Sequence, residues 1–81
     1  MPVSTIPATV AYLLAESHNV HVNHPNGKRT TLRVALSLWN HGEPIREFTE
    51  ADAAMFDIPV SRVNATIRAY NLSRFGLEVV D

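Results

Sequence analysis

Apolar residues recur at helical spacing in the middle of the chain. They occupy positions i, i+3, i+4 and i+7 of one stripe: Leu32, Ala35, Leu36 and Trp39. Such spacing places the side chains on one face of a helix. Thr30 or Thr31 can cap its start, and Gly42 follows as a C-terminal glycine does. The pattern predicts a helix over residues 31–41.

The segment before this helix combines a second helical pattern with a strong turn signal. Val10, Leu13 and Leu14 follow helical spacing and predict a helix over residues 5–17. Pro25-Asn26-Gly27 favours a turn, because Asn and Gly tolerate positive φ. The residues around that turn form either a hairpin or an exposed loop. Residues 1–29 are therefore interpreted as an N-terminal helix with a turn-containing arm.

The segment after it predicts two further helices separated by a break. Thr49 to Asp52 resembles a capping box and would start a short helix that ends at Asp57. Pro59 interrupts the helical pattern, because the residue before a proline avoids the helical region. Ser61 then caps a helix predicted over residues 61–71.

A short helix, a tight break and a third helix follow one another as they do in a helix-turn-helix motif. In that motif Ala53 would lie where the two helices cross, and Phe56 and Ile58 would enter the core. Val63 and Ile67 would lie under the third helix. The remaining positions of this helix would face solvent: Arg62, Asn64, Ala65, Arg68, Ala69 and Asn71. Such a face can enter a major groove, where Arg pairs with guanine and Asn with adenine.

Composition narrows the possible classes. The chain has 81 residues, 46% of them hydrophobic and 19% charged, and no cysteine. These values predict one small packed domain without thiolate chemistry, a membrane span or a secretory signal, and hence a cytoplasmic location. The net charge is −1, but its distribution is uneven. Residues 42–57 hold five carboxylates and one arginine, whereas residues 58–77 hold three arginines and no carboxylate. A basic face is therefore possible.

The helix-turn-helix region resembles known families. Residues 53–64 are similar to the helix-turn-helix of antitoxins and Cro-like repressors. Residues 31–80 resemble the small winged helix-turn-helix proteins of bacteriophages and prophages. The positions that fit that pattern are Ser61, Arg62, Val63, Ala65, Ile67 and Gly76. Asp57 departs from it, because the families usually have glycine in the turn, and Arg and Lys are sparser than usual.

The resemblance implies a mainly α fold with a three-helix helix-turn-helix core over residues 30–81 and a small C-terminal β wing. Residues 1–29 lie outside the resemblance and form the helical N-terminal extension. The resemblance also implies a phage-encoded transcriptional regulator that binds double-stranded DNA. One such domain has a small footprint, so a homodimer is expected. The helix at 5–17 is either the dimer contact or packs only on the core. The expected DNA-binding residues are Ser61, Arg62, Asn64, Ala65, Arg68, Asn71, Arg74, Lys28 and Arg29. The alternative is a binding protein that inhibits or recruits a host protein on the same scaffold, and the acidic residues 43–57 favour it.

Catalysis and metal binding have weaker signals. The chain has no glycine-rich phosphate loop, nucleophile elbow or zinc-protease motif, so no enzyme activity and no cofactor is expected. His18, His21 and His24 have a spacing that could bind a metal, but no carboxylate accompanies the Pro25-Asn26-Gly27 turn. They are interpreted as solvated loop histidines rather than as a metal site.

Overall fold

The computed structural model describes residues 8–76, which form a mainly α-helical fold with one small antiparallel sheet. The elements in chain order are α1 (Ala8–Glu16), β1 (His21–Asn23), β2 (Arg29–Thr31), α2 (Leu32–Trp39), a 3₁₀ helix (Glu50–Met55) and α3 (Val60–Phe75). The predicted mainly α class is confirmed. The first turn of the predicted N-terminal helix and the predicted wing at residues 77–80 lie outside the described residues.

The arm before α2 is a β-hairpin, which was one of the two alternatives. Val22 of β1 pairs with Thr30 of β2. Gly27 has φ +88° in the turn, a left-handed conformation that glycine adopts without strain. Val22 is fully buried and also forms an isolated antiparallel bridge with Phe56. The hairpin is therefore part of the core, and β2 runs across the boundary drawn between residues 29 and 30.

α2 begins as predicted and ends two residues early. The backbone N–H of Val34 donates to Thr31 Oγ1 over 3.3 Å, which confirms Thr31 as the cap. The helix ends at Trp39 because Asn40 adopts an extended backbone, with φ −81° and ψ 101°. The Asn40 side chain then accepts the N–H of Gly42. The prediction that Gly42 directly ends this helix is wrong.

The segment before α3 differs most from the predicted motif. Glu50–Met55 is a 3₁₀ helix, and Thr49 makes no side-chain cap bond, so the predicted capping box is wrong. A 3₁₀ helix has three residues per turn and does not present the stripe of an α-helix. Ala53 is accordingly exposed rather than placed at a helix crossing. Phe56 is buried and Ile58 packs against the core, as predicted.

α3 is longer than predicted at both ends. It begins at Val60, and the Pro59 carbonyl accepts the N–H groups of Arg62 and Val63 at 2.9 and 3.1 Å. Ser61 is therefore in the first turn and is not the cap. The helix continues past residue 71 to Gly76, which has φ +65° and donates its N–H to the Leu72 carbonyl. This glycine stops the helix because its left-handed backbone cannot continue it.

The core lies between α3, α2 and the hairpin. Val63 and Ile67 of α3 are fully buried and Tyr70 nearly so, which confirms the predicted inward face. Trp39 is half-buried and packs against Phe48, with ring centroids 5.0 Å apart. Within residues 8–76, no helix combines the length and the apolar content that crossing a bilayer requires.

Candidate functional site

The predicted outer face of α3 is only partly open to solvent. Ser61, Arg62 and Arg68 are exposed and Ala65 is half-buried. Two members of the predicted face are buried instead, Ala69 at 3% exposure and Asn71 at 9%. The prediction that these two side chains face solvent is wrong. Both side chains are buried because Ala69 and Asn71 lie on the side of α3 that packs against the rest of the molecule.

Asn71 is bonded to the chain segment that connects α2 to the 3₁₀ helix. Its Oδ1 accepts the backbone N–H of Ile45 over 2.9 Å, and its Nδ2 donates to the Ile45 carbonyl over 3.0 Å. Both partners are buried, so these bonds replace water that the backbone of Ile45 has lost. Both polar atoms of this buried side chain are therefore bonded to the backbone of Ile45, which keeps Asn71 from pairing with a base.

Asn64 repeats this contact two turns earlier. Its Oδ1 accepts the N–H of Phe48 over 2.8 Å, and its Nδ2 donates to the Phe48 carbonyl over 2.9 Å. The predicted pairing of Asn64 with adenine would require both bonds to break. Two asparagines seven residues apart on one helix are the signal that sequence reasoning missed. Together they attach residues 45–48 along α3, and we call these bonds the amide contacts.

The exposed arginines of α3 face carboxylates of neighbouring segments. Arg62 Nη2 lies 2.8 Å from Glu16 Oε2 of α1, and Arg68 Nη1 lies 2.9 Å from Glu47 Oε1. The two arginine side chains remain 43% and 46% exposed. Exposed ion pairs contribute about 0–1 kcal/mol, so another anion can compete for either guanidinium.

Between these contacts, one side of α3 is exposed or half-buried along its length. Residues separated by three or four positions share a helix face. The side chains on this face are Ser61, Ala65, Arg68 and Leu72, and we call them the α3 stripe. The Phe48 amide contact borders the stripe on one side, and the Arg62–Glu16 pair borders it on the other.

The two cations predicted at the hairpin are both exposed. Lys28 lies in the turn, and its backbone N–H donates to Asn26 Oδ1. Arg29 Nη2 lies 3.5 Å from Asp57 Oδ2, which brings the hairpin close to the segment preceding α3. Asp57 does not have positive φ, so the turn does not need the glycine that the resembling families have there.

The other predicted features are distributed around the molecule. Arg74 lies roughly 120° around the helix from Arg68 at about 100° per residue, so it is turned away from the stripe. Leu14 of α1 packs against the core, whereas Tyr12 is 59% exposed.

His24 Nε2 is hydrogen-bonded to the Thr30 hydroxyl. The described part of the chain contains no group of three or more side chains able to hold a metal ion.

Comparisons with known proteins do not assign a family to this arrangement. No protein-family model matches the sequence, no curated protein matches it significantly, and no solved structure matches the fold significantly.

Proposed function

We propose that this chain is a small DNA-binding regulator that places the α3 stripe against a duplex. The supporting observation is that α3 carries three arginines and no carboxylate over 16 residues, and that Arg62 and Arg68 remain solvent-accessible. A helix of this length extends about 24 Å and fits the major groove. Arginine forms bidentate hydrogen bonds with guanine edges or with phosphate.

The neighbouring groups would contact the DNA backbone. Ser61 lies in the first turn of α3, where the helix dipole attracts phosphate. Lys28 and Arg29 lie near the same end, because Arg29 contacts Asp57 just before the helix. Asn64, Asn71 and Arg74 are not part of this interface. A homodimer would double the small footprint of one domain, and such a regulator would act in the cytoplasm.

Salt-dependent binding tests this proposal directly. We expect binding of a labelled duplex, followed by fluorescence anisotropy, to weaken steeply with salt, because phosphate contacts release counterions. R62A and R68A should each weaken binding and lower the salt slope by about one where the lost contact is to phosphate. R46A is the control, because it removes one exposed cation outside α3. If both α3 variants bind as the parent does, α3 is not the DNA-reading element.

The carboxylate partners provide a second, opposite test. Removing the charge of Glu47 frees Arg68 and removes repulsion of phosphate. We expect E47Q to strengthen binding by up to about fivefold, since an exposed pair contributes at most about 1 kcal/mol. E43Q is the matched control, because Glu43 has no arginine partner among the ion pairs of residues 8–76. Unchanged or weaker binding by E47Q would contradict the proposed use of Arg68.

A second candidate function is binding of a host protein, and it is favoured by a different surface. Val34 and Leu38 lie one turn apart on α2 and are 48% and 58% exposed. Exposed apolar neighbours of this kind are typical of protein contacts when they form a larger patch. Pull-down from nuclease-treated lysate at high salt should then lose its partner with L38S, while duplex binding stays unchanged. Loss of duplex binding alone would instead assign α2 to the DNA interface.

A further inference from the structure

A cleft lies where the end of α1, the start of α2 and the end of α3 meet. Its volume is about 390 Å³, within the range of about 300–1,000 Å³ that small-molecule sites occupy. Leu14 contributes an apolar wall. The polar and aromatic lining consists of His18, Arg33, Tyr70, Ser73 and Arg74. No carboxylate of residues 8–76 lines this cleft.

The arginines of the cleft differ from those near the α3 stripe. Arg29, Arg62 and Arg68 each lie within 3.5 Å of a carboxylate oxygen. Arg33 and Arg74 form no such pair with a carboxylate in the described part of the chain. Two guanidinium groups therefore share one concave site, and none of the carboxylates of residues 8–76 neutralises them there. Such a site attracts an anion, since like charges close together are otherwise unfavourable.

The Arg33 side chain is held in place before any ligand arrives. Its guanidinium carbon lies 5.2 Å from the centroid of the Tyr70 ring, and Tyr70 is 6% exposed. Stacking on a buried aromatic ring restricts the guanidinium and leaves its N–H donors free at the edge. Tyr70 is in turn fixed at its hydroxyl, which accepts a bond from Asn40 Nδ2 over 3.3 Å. The Ser73 hydroxyl adds another donor to the lining.

We propose that this cleft binds a phosphoryl group, as inorganic phosphate or as a small phosphate monoester. A planar guanidinium matches the oxygens of phosphate, and two of them supply charge-assisted donors from different helices. Tyr70 and Arg74 lie on the side of α3 that is turned away from the α3 stripe. This site is therefore separate from the proposed DNA interface, and its existence does not depend on that function.

Amide NMR titration of the full chain at constant ionic strength tests the proposal. Inorganic phosphate and phenyl phosphate are the two probes, and chloride is the reference anion. We expect saturable shifts at Arg33, Tyr70, Ser73 and Arg74, and none at Glu43, which lies outside both the cleft and the proposed DNA interface. Tighter binding of phenyl phosphate assigns the ligand as an ester, and equal or weaker binding assigns free phosphate.

Two variants separate binding from folding. R74Q changes an exposed side chain, and R33Q removes the stacked guanidinium; each should weaken phosphate binding by about tenfold or more. R46Q is the control for loss of one charge and should bind as the parent does. A thermal melt of each variant verifies that it is folded. The proposal is overturned if chloride produces the same shifts, if the shifts do not saturate, or if folded R74Q binds unchanged. The two arginines would then only interact with the partial negative charges at the C-terminal ends of α1 and α3.

Discussion

Two kinds of polar contact connect α3 to the rest of the molecule, and they differ in burial. The amide contact of Asn71 satisfies the backbone of Ile45 away from water, and that of Asn64 with Phe48 is part-buried. The ion pairs of Arg62 and Arg68 lie in solvent. A buried hydrogen bond is expensive to break, because the abandoned partner cannot return to water, whereas an exposed pair exchanges its partner easily. The asparagines are therefore structural, and the arginines are the groups available for a ligand.

The largest effect is expected for N71A. This substitution leaves both the N–H and the carbonyl of Ile45 without a partner, in a segment that stays buried. We expect the free energy of unfolding to fall by about 2–6 kcal/mol, at about 1–3 kcal/mol for each of the two unsatisfied groups. Urea denaturation measures it, with S73A on the same helix as the exposed control. A loss below that of S73A would show that the Ile45 contact is not structural.

A smaller loss is expected for N64A. Asn64 is half-buried, so water can partly replace its contacts with Phe48. We expect a loss of about 1–2 kcal/mol of unfolding free energy. Duplex binding of the folded variant should match the parent. The opposite outcome, unchanged stability with weakened binding, would restore Asn64 as a base-reading side chain and contradict its structural assignment.

The smallest effect on stability is expected for the ion pairs. A double-mutant cycle with R68A and E47A should give a coupling energy of about 0.2–1 kcal/mol, typical of exposed pairs. High salt should reduce it further. A coupling energy above that range, insensitive to salt, would mean that Arg68 is part of the scaffold and is not available to DNA.

Sequence patterns predicted the structural features that depend on residues close together in the chain. The spacing of Val63 and Ile67 identified the packed face of α3, and Thr31 identified the start of α2. The cap and the length of α3 were less predictable, because Pro59 and Gly76 decide them through backbone geometry. The sequence predicts an exposed Asn71 because asparagine is commonly exposed and often ends helices. Its actual partner is 26 residues away in sequence, so the spacing of Asn64 and Asn71 shows that they share a helix face but not which segment they contact.

The candidate site was predictable in its residue types but not in its pairing. The arginines of α3 and the lack of acids on it are visible in the sequence. Their partners are not, since Glu16 is 46 positions from Arg62. The meeting of His18, Arg33 and Arg74 likewise depends on how three helices pack. The separation of acidic from basic residues along the chain therefore did not predict that they would be separated in the folded structure.

The double pairing of Val22, with Thr30 on one side and Phe56 on the other, determines where this chain can be divided. A fragment starting at residue 30 would keep β2 without β1, so its strand would present unpaired peptide groups. The same cut would uncover the apolar surface beneath Leu36 and Phe56. Open strand edges beside bare apolar surface promote self-association. Such a fragment is expected to aggregate, and the amino-terminal third is best kept in any shortened version of the protein.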